Sequence, residues 1–166
     1  VATLFNQQPG TYFVWADSTL STSGPFSLTV SLSAPTIPPA NDLCVNAQVI
    51  PSTNGTVTGS TNIGTVSDVS SCGSTSGDVA YSLTLTSASD VAVTMTPTVG
   101  TFRGSVQIRA SCAATTDLAC NLAAAAGGTA SATASNLQPG TYIIWVDGAA
   151  GLVGSFSLNV QVKLLR

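Results

Sequence analysis

The stretch that decides the fold reads Gln138-Pro139-Gly140-Thr141-Tyr142-Ile143-Ile144-Trp145-Val146-Asp147 and continues to Gly154-Ser155-Phe156-Ser157-Leu158-Asn159-Val160. It has a second copy near the start of the chain, Gln8-Pro9-Gly10-Thr11-Tyr12-Phe13-Val14-Trp15-Ala16-Asp17, which continues to Gly24-Pro25-Phe26-Ser27-Leu28-Thr29-Val30. Residues 1–33 align with residues 131–163 without a gap, and 15 of these 33 pairs are identical. A self-similar segment at a fixed spacing is typical of tandem domains.

The offset of 130 residues between the copies fits one small domain rather than a solenoid repeat. We therefore expect residues 41–166 to form one complete unit and residues 1–33 to match the C-terminal part of a preceding unit. Residues 34–40 contain three prolines, which favour an extended, semi-rigid linker. The sequence thus predicts a piece of a repeat array.

Each copy has the pattern of a β-hairpin, in which an alternating strand, a Gly/Ser loop and a second alternating strand follow one another. A lone two-stranded hairpin is marginally stable in water, so the first copy needs a partner. The side chains of this predicted assembly hairpin that require a core are Tyr12, Val14, Phe26, Leu28 and Val30. We expect it to pack against another part of a longer protein or to engage a neighbouring chain by strand addition.

The composition excludes some classes of function. The net charge is −3 and only four residues are basic, which argues against a nucleic-acid partner. No apolar run approaches the roughly 20 residues of a membrane helix, so we expect no membrane insertion. Charged residues make up 7% of the chain, whereas about 25% is usual. Because charged edges protect β proteins from pairing edge to edge, such a chain either covers its edges or uses them in assembly.

The pattern of the remaining chain predicts a fold that is almost entirely β. Residues 41–50 predict a turn and a short strand, and residues 123–128 a loop. Alternating apolar residues indicate three strands, at Val79, Tyr81, Leu83 and Leu85, at Val91, Val93 and Met95, and at Val106 and Ile108. Short strands separated by turn-rich segments indicate an antiparallel β-sandwich of jelly-roll type.

The four cysteines, Cys44, Cys72, Cys112 and Cys120, all lie within the predicted complete unit. An even number fits two disulfides, and four cysteines allow three pairings. The short loop between Cys112 and Cys120 favours a local pair, which leaves Cys44 with Cys72. Zinc is disfavoured because the chain has no histidine and no pair of cysteines two residues apart. Disulfides indicate an oxidising compartment.

Several of these motifs together resemble a known family. They are Asn41-Asp42-x-Cys44-x-x-Ala47-x-x-Ile50, a later Cys72, Asp78-Val79-x-Tyr81, the pair Cys112 and Cys120, Pro139-Gly140-Thr141-Tyr142, Val146-Asp147, and Gly154-x-Phe156-x-Leu158. The sequence resembles a bacterial pre-peptidase C-terminal (PPC-like) domain, in the cysteine-containing variant found in tandem in large secreted and surface proteins. The resemblance implies a non-catalytic appendage; some members bind extracellular polymers, some bind calcium and some are removed during secretion. At the position of the family's second aromatic this chain has Ala80.

Catalysis finds little support in the residue types. Without histidine or glutamate, neither a Ser-His-Asp nor a Cys-His arrangement can form within the chain. A pair of carboxylates from among Asp68, Asp78, Asp90 and Asp117 is the remaining alternative, but Asp is also an ordinary turn and cap residue. We therefore predict that the protein is not an enzyme and needs no cofactor.

Calcium is a weaker candidate. Asp42, Asp68 and Asp78, together with loop carbonyls, offer the hard oxygen ligands that calcium prefers. No EF-hand or nonapeptide spacing is present, and loop turns explain the same residues.

Trp15 and Trp145 occupy equivalent positions in the two copies. Alternation places Tyr142, Ile144 and Val146 on one face of the strand and Trp145 on the other. If the first face is the core, each copy presents a tryptophan outward as an interface or ligand aromatic. The alternative is that a loop covers it.

Two hypotheses follow. In the first, the protein is a structural or assembly module of a secreted or cell-surface repeat protein, such as a stalk or filament subunit, and its partners are copies of itself or adjacent repeats. In the second, it is an accessory module of a secreted hydrolase that binds carbohydrate or another extracellular polymer. A processed pre-peptidase segment is a third alternative.

Overall fold

The structure, a computed structural model, describes residues 10–18, 23–32, 37–51, 54–66, 71–72 and 76–165. The chain divides into two units, Val1–Ile37 and Pro38–Arg166, and the division lies inside the predicted linker. None of the helices within the described ranges has the length and apolar character needed to cross a membrane.

In its described residues, the second unit contains nine strands and one short 3₁₀ helix, at Cys44–Asn46. Its nine strands are β1 (Gln48–Ile50), β2 (Gly55–Ser60), β3 (Asp78–Leu85), β4 (Ser89–Pro97), β5 (Gly104–Arg109), β6 (Ala119–Leu122), β7 (Ala130–Leu137), β8 (Gly140–Gly148) and β9 (Ser155–Leu164). The predicted turn and short strand at residues 41–50, and the loop at 123–128, are present.

Two sheets form the sandwich. The five-stranded sheet has the order β1-β3-β8-β5-β6, and the four-stranded sheet has the order β2-β9-β4-β7. Every pair is antiparallel except β1 and β3, which run parallel. The predicted antiparallel β-sandwich is confirmed.

The core lies between the sheets, where the alternating apolar residues of each strand meet. All the alternating residues named above in residues 78–108 are buried there. Phe156 occupies the centre: its ring meets Tyr81 edge to face at 6.3 Å and Phe102 at 6.4 Å between ring centroids. The side chain of Phe102 also lies over Gly154, where an added Cβ would stand 2.6 Å from the Phe102 Cβ. The glycine is therefore needed for this close approach.

The predicted hairpin at residues 138–160 is wrong in one respect. β8 pairs with β3 and β5, whereas β9 pairs with β2 and β4, so the two strands belong to opposite sheets. The connection between them passes from one sheet to the other. A short Gly-rich loop between two alternating strands is compatible with both arrangements, and each strand is an interior strand of its sheet.

The first unit has no strand in its described residues, 10–18 and 23–32, and all of these residues are exposed. The predicted N-terminal hairpin is therefore not formed in this part of the chain. Its exposed apolar residues are Tyr12, Phe13, Val14, Trp15, Phe26, Leu28, Val30 and Leu32.

Candidate functional site

The outer face of the five-stranded sheet carries polar residues that are nevertheless buried. Alternation places two rows of side chains across β3, β8 and β5 on the face opposite the core. One row is Asp78, Asp147 and Ser105, and the next is Ala80, Trp145 and Gln107. All six are buried. Something must therefore cover this face.

The segment around Cys44 lies over Trp145. Ala80, Ile143 and Trp145 form a second apolar cluster, separate from the main core, against which Cys44 and Ala47 pack. Asn41 fixes this segment to β3, because the backbone amide of Ala80 donates to the Asn41 carbonyl at 2.8 Å and Asn41 Nδ2 donates to the Ala80 carbonyl at 2.9 Å. We call residues 41–47 the cover.

Two disulfides tie this side of the sandwich together. They join Cys44 to Cys112 and Cys72 to Cys120, with Cα atoms 5.8 and 6.0 Å apart. The prediction that all four cysteines form disulfides is confirmed, but the predicted pairing is wrong. Cys112 lies in the loop that follows β5. It is bonded to Cys44 of the cover rather than to Cys120, which is nearer in sequence.

A buried ion pair supports the same loops. Arg109 Nε lies 2.5 Å from Asp117 Oδ1, and the Arg109 guanidinium also donates to the Ala114 carbonyl at 3.1 Å. Ser71 donates its backbone amide to Asp117 Oδ2 at 2.8 Å. Burial raises the pKa of Asp117, but the hydrogen bonds from Ser71 and the charge and hydrogen bond of Arg109 outweigh this and hold it below its usual value. Asp117 is thus a structural carboxylate.

On this outer face, some buried polar atoms have no hydrogen-bond partner within the described part of the chain. They include both amide atoms of Gln107 and the indole Nε1 of Trp145. Asp147 Oδ1, in contrast, accepts from the backbone amides of Gly148 and Ser76, the latter at 3.3 Å. Asp147 therefore holds the loop at Ser76, and the polar side chains of this face are shielded from solvent.

Two of the three calcium candidates, Asp42 and Asp78, lie in the described residues. Asp42 accepts two hydrogen bonds from Thr65, from its amide at 2.5 Å and its hydroxyl at 2.7 Å. Asp78 is buried opposite Asp147, and Asp68 lies outside the described residues. Across the described ranges, no group of three or more His, Cys, Asp or Glu could hold a metal ion.

The two tryptophans have opposite environments. Trp145 lies on the outer face of its sheet but is 3% exposed beneath the cover, so the alternative of a covering loop holds. Trp15, at the equivalent position of the first copy, is 89% exposed. Only the first copy thus presents its tryptophan to solvent.

Tyr81 gives this unit a pH dependence. Burial raises the pKa of Tyr81 from 10.0 to about 12, against a smaller lowering by the Asn41 side chain. The unfolded chain therefore loses this proton first as the pH rises, so the free energy of unfolding falls from about pH 10 towards pH 12. Denaturant titrations across this range should give a smaller fall for Tyr81→Phe than for the unchanged protein. An equal fall in both would contradict the assignment.

The fold is similar to the pre-peptidase C-terminal domain of collagenase from Bacillus anthracis, at 18% sequence identity and a TM-score of 0.49, over 69% of this chain and 94% of that chain. No protein-family model matches the sequence, and no curated protein matches it. The fold and the covered face together define a disulfide-tied β-sandwich module.

Proposed function

We propose that this protein is a non-catalytic structural and assembly module of a secreted or cell-surface repeat protein. The observation that carries the proposal is the contrast between the two copies of the repeated segment. In the second unit it supplies interior strands of both sheets, whereas in the first copy the described residues, 10–18 and 23–32, form no strand and are exposed. Such an apolar segment requires a partner, which makes association the function it supports best.

Two of the four candidate carboxylates serve structural roles. Asp117 pairs with Arg109, and Asp90 Oδ1 accepts from the Asn136 amide at 2.9 Å. The chain contains no histidine and no glutamate to act as general base. These facts support a module without catalytic activity.

The two disulfides support a location outside the cytosol. Disulfides persist in oxidising compartments, such as the cell exterior. They also stabilise the second unit by restricting its unfolded chain. A secreted or surface-exposed module fits both features.

The alternative is a module that binds an extracellular polymer through aromatic side chains. Trp15, exposed and flanked by exposed Phe13, favours it. The burial of Trp145 weighs against it, because a carbohydrate platform repeated in each unit would need both tryptophans exposed.

Sedimentation velocity and electron microscopy of the full chain test the proposal. We expect oligomers or fibres that are lost in the variant Trp15→Ser/Phe26→Ser/Leu28→Ser, whose second unit is unchanged. A matched control carries Ser23→Ala/Ser27→Ala/Ser31→Ala in the same segment and should still associate. A monomeric wild-type protein that is retained on insoluble polysaccharide through Trp15 would overturn the proposal in favour of polymer binding.

A further inference from the structure

We propose that residues 1–33 are the last three strands of a second sandwich, and that their partner is a preceding segment of the same kind as β1–β6 of the second unit. This inference rests on the proposed function, because it names the partner of the exposed segment. It commits to an upstream sandwich of the same protein rather than to the edge of a second copy.

The first step is the position of the equivalent strands. Residues 131–163 of the second unit contain nearly all of β7, the whole of β8 and nearly all of β9. There, β8 lies between β3 and β5, and β9 lies between β2 and β4. Residues 11–18 and 23–32 thus correspond to strands that are paired along both edges. A partner must supply four strands, which a single sheet edge does not provide.

The second step is the apolar side chains. Phe156, Leu158 and Val160 are fully buried in the core of the second unit. Their equivalents Phe26, Leu28 and Val30 are 71, 57 and 61% exposed. The first copy therefore has the same alternation of apolar residues, although these residues are exposed. This alternation suits a strand that lies between two strands like β2 and β4 with its apolar face in the core.

Both copies have a glycine at the same position, Gly24 in the first and Gly154 in the second. In the second unit, an added Cβ at Gly154 would lie 2.6 Å from the Cβ of Phe102 and 3.2 Å from Val99. At the equivalent Gly24, an added Cβ would meet nothing within 4 Å. The first copy therefore has a glycine at a position where the second copy needs one for the close approach of an aromatic side chain. In the first copy this need would arise only if a segment like residues 97–104 packed over Gly24.

The aspartates at equivalent positions of the two copies, Asp17 and Asp147, make the same local hydrogen bond. The carboxylate of Asp147 accepts from the backbone amide of the next residue, Gly148. Asp17, its equivalent, accepts from the amide of Ser18 at 2.8 Å. The end of the β8-like stretch thus has the same local hydrogen bond as its counterpart.

A second copy of this chain fits less well as the partner. Its sandwich already contains residues 131–163 in the interior positions of both sheets. Entry of residues 1–33 would displace strands tethered in the same chain, and it would leave those strands exposed in turn. Exchange between copies therefore gains no buried surface, whereas an upstream β1–β6 segment has these positions vacant.

The test places residues 38–130 of this chain directly before Val1 of the full chain. Residues 1–33 then follow the added segment as residues 131–163 follow it in the second unit. The added segment contains no tryptophan, so the emission still comes from Trp15 and Trp145 alone. In the unextended chain, the part of the tryptophan fluorescence that acrylamide quenches comes from Trp15. We expect the extended chain to lose this quenching and to lose self-association as well.

The control is the same extended chain with Phe26→Ser/Leu28→Ser, in which Trp15 should stay accessible. If Trp15 stays accessible in the unmutated extended chain while the 166-residue chain still associates through residues 10–32, this inference falls and the proposed function stands. If the 166-residue chain is monomeric and Trp15 is accessible in both proteins, both fall. Shielding of Trp15 only in a concentration-dependent dimer overturns the inference in favour of exchange between copies.

Discussion

Phe156→Ala should destabilise the second unit by about 4 kcal/mol, the usual cost of removing a fully buried aromatic ring. The ring lies against Tyr81 and Phe102 in the centre of the core, and an added Cβ at Gly59 would stand 2.7 Å from its tip. Neighbours that are themselves large and buried cannot collapse into the space. Urea denaturation followed by circular dichroism measures the change.

The matched control is Phe26→Ala, at the equivalent position of the first copy. Its ring is exposed, so the free energy of unfolding of the second unit should change by less than about 0.5 kcal/mol. A large loss for Phe26→Ala, or a small one for Phe156→Ala, would contradict the assignment of the two copies to exposed and buried environments.

Removal of the cover disulfide with Cys44→Ala/Cys112→Ala should cost about 4 kcal/mol, since the bridge closes a loop between residues 68 positions apart. The loss should also expose Trp145, because Cys44 packs against its cluster. Thermal unfolding gives the stability, and the tryptophan emission maximum, shifted to longer wavelength, gives the exposure.

The control for the disulfide is Cys72→Ala/Cys120→Ala, whose bridge does not involve the cover. It should cost a similar free energy, about 4 kcal/mol, while leaving Trp145 shielded. Each double variant should contain no free thiol. A free thiol in either protein, or a peptide joining Cys112 to Cys120 in the non-reduced digest of the unchanged chain, would contradict the pairing.

The strands and the sandwich could be predicted because alternation acts locally. The runs from Val79 to Ile108 place apolar side chains on one face, and each becomes a strand with that face in the core. The repeat likewise located two strands at 140–148 and 155–164. What alternation does not determine is which strands pair, because the same pattern suits a hairpin and a crossing between sheets.

The outer face could not be predicted, because it depends on contacts between distant segments. Gln107 and Asp147 stand at positions that would suit a solvated face equally well, and their burial depends on the segments that pack over the sheet. The local pairing of Cys112 with Cys120 was favoured by loop length alone, whereas the actual bridge depends on where the cover lies. The face of the strand on which Trp145 lies could be predicted from alternation. Its burial could not, because it depends on the cover.

Hydrogen–deuterium exchange is the most direct test of the claim that residues 11–18 and 23–32 correspond to interior strands and lack their neighbours. In the full chain, residues 11–18 and 23–32 should exchange at the rate of an unstructured chain, while residues 140–148 and 155–164 should be strongly protected. In the chain extended by residues 38–130, the first two segments should become as protected as the last two. Residues 11–18 exchanging fast in both proteins would contradict the account.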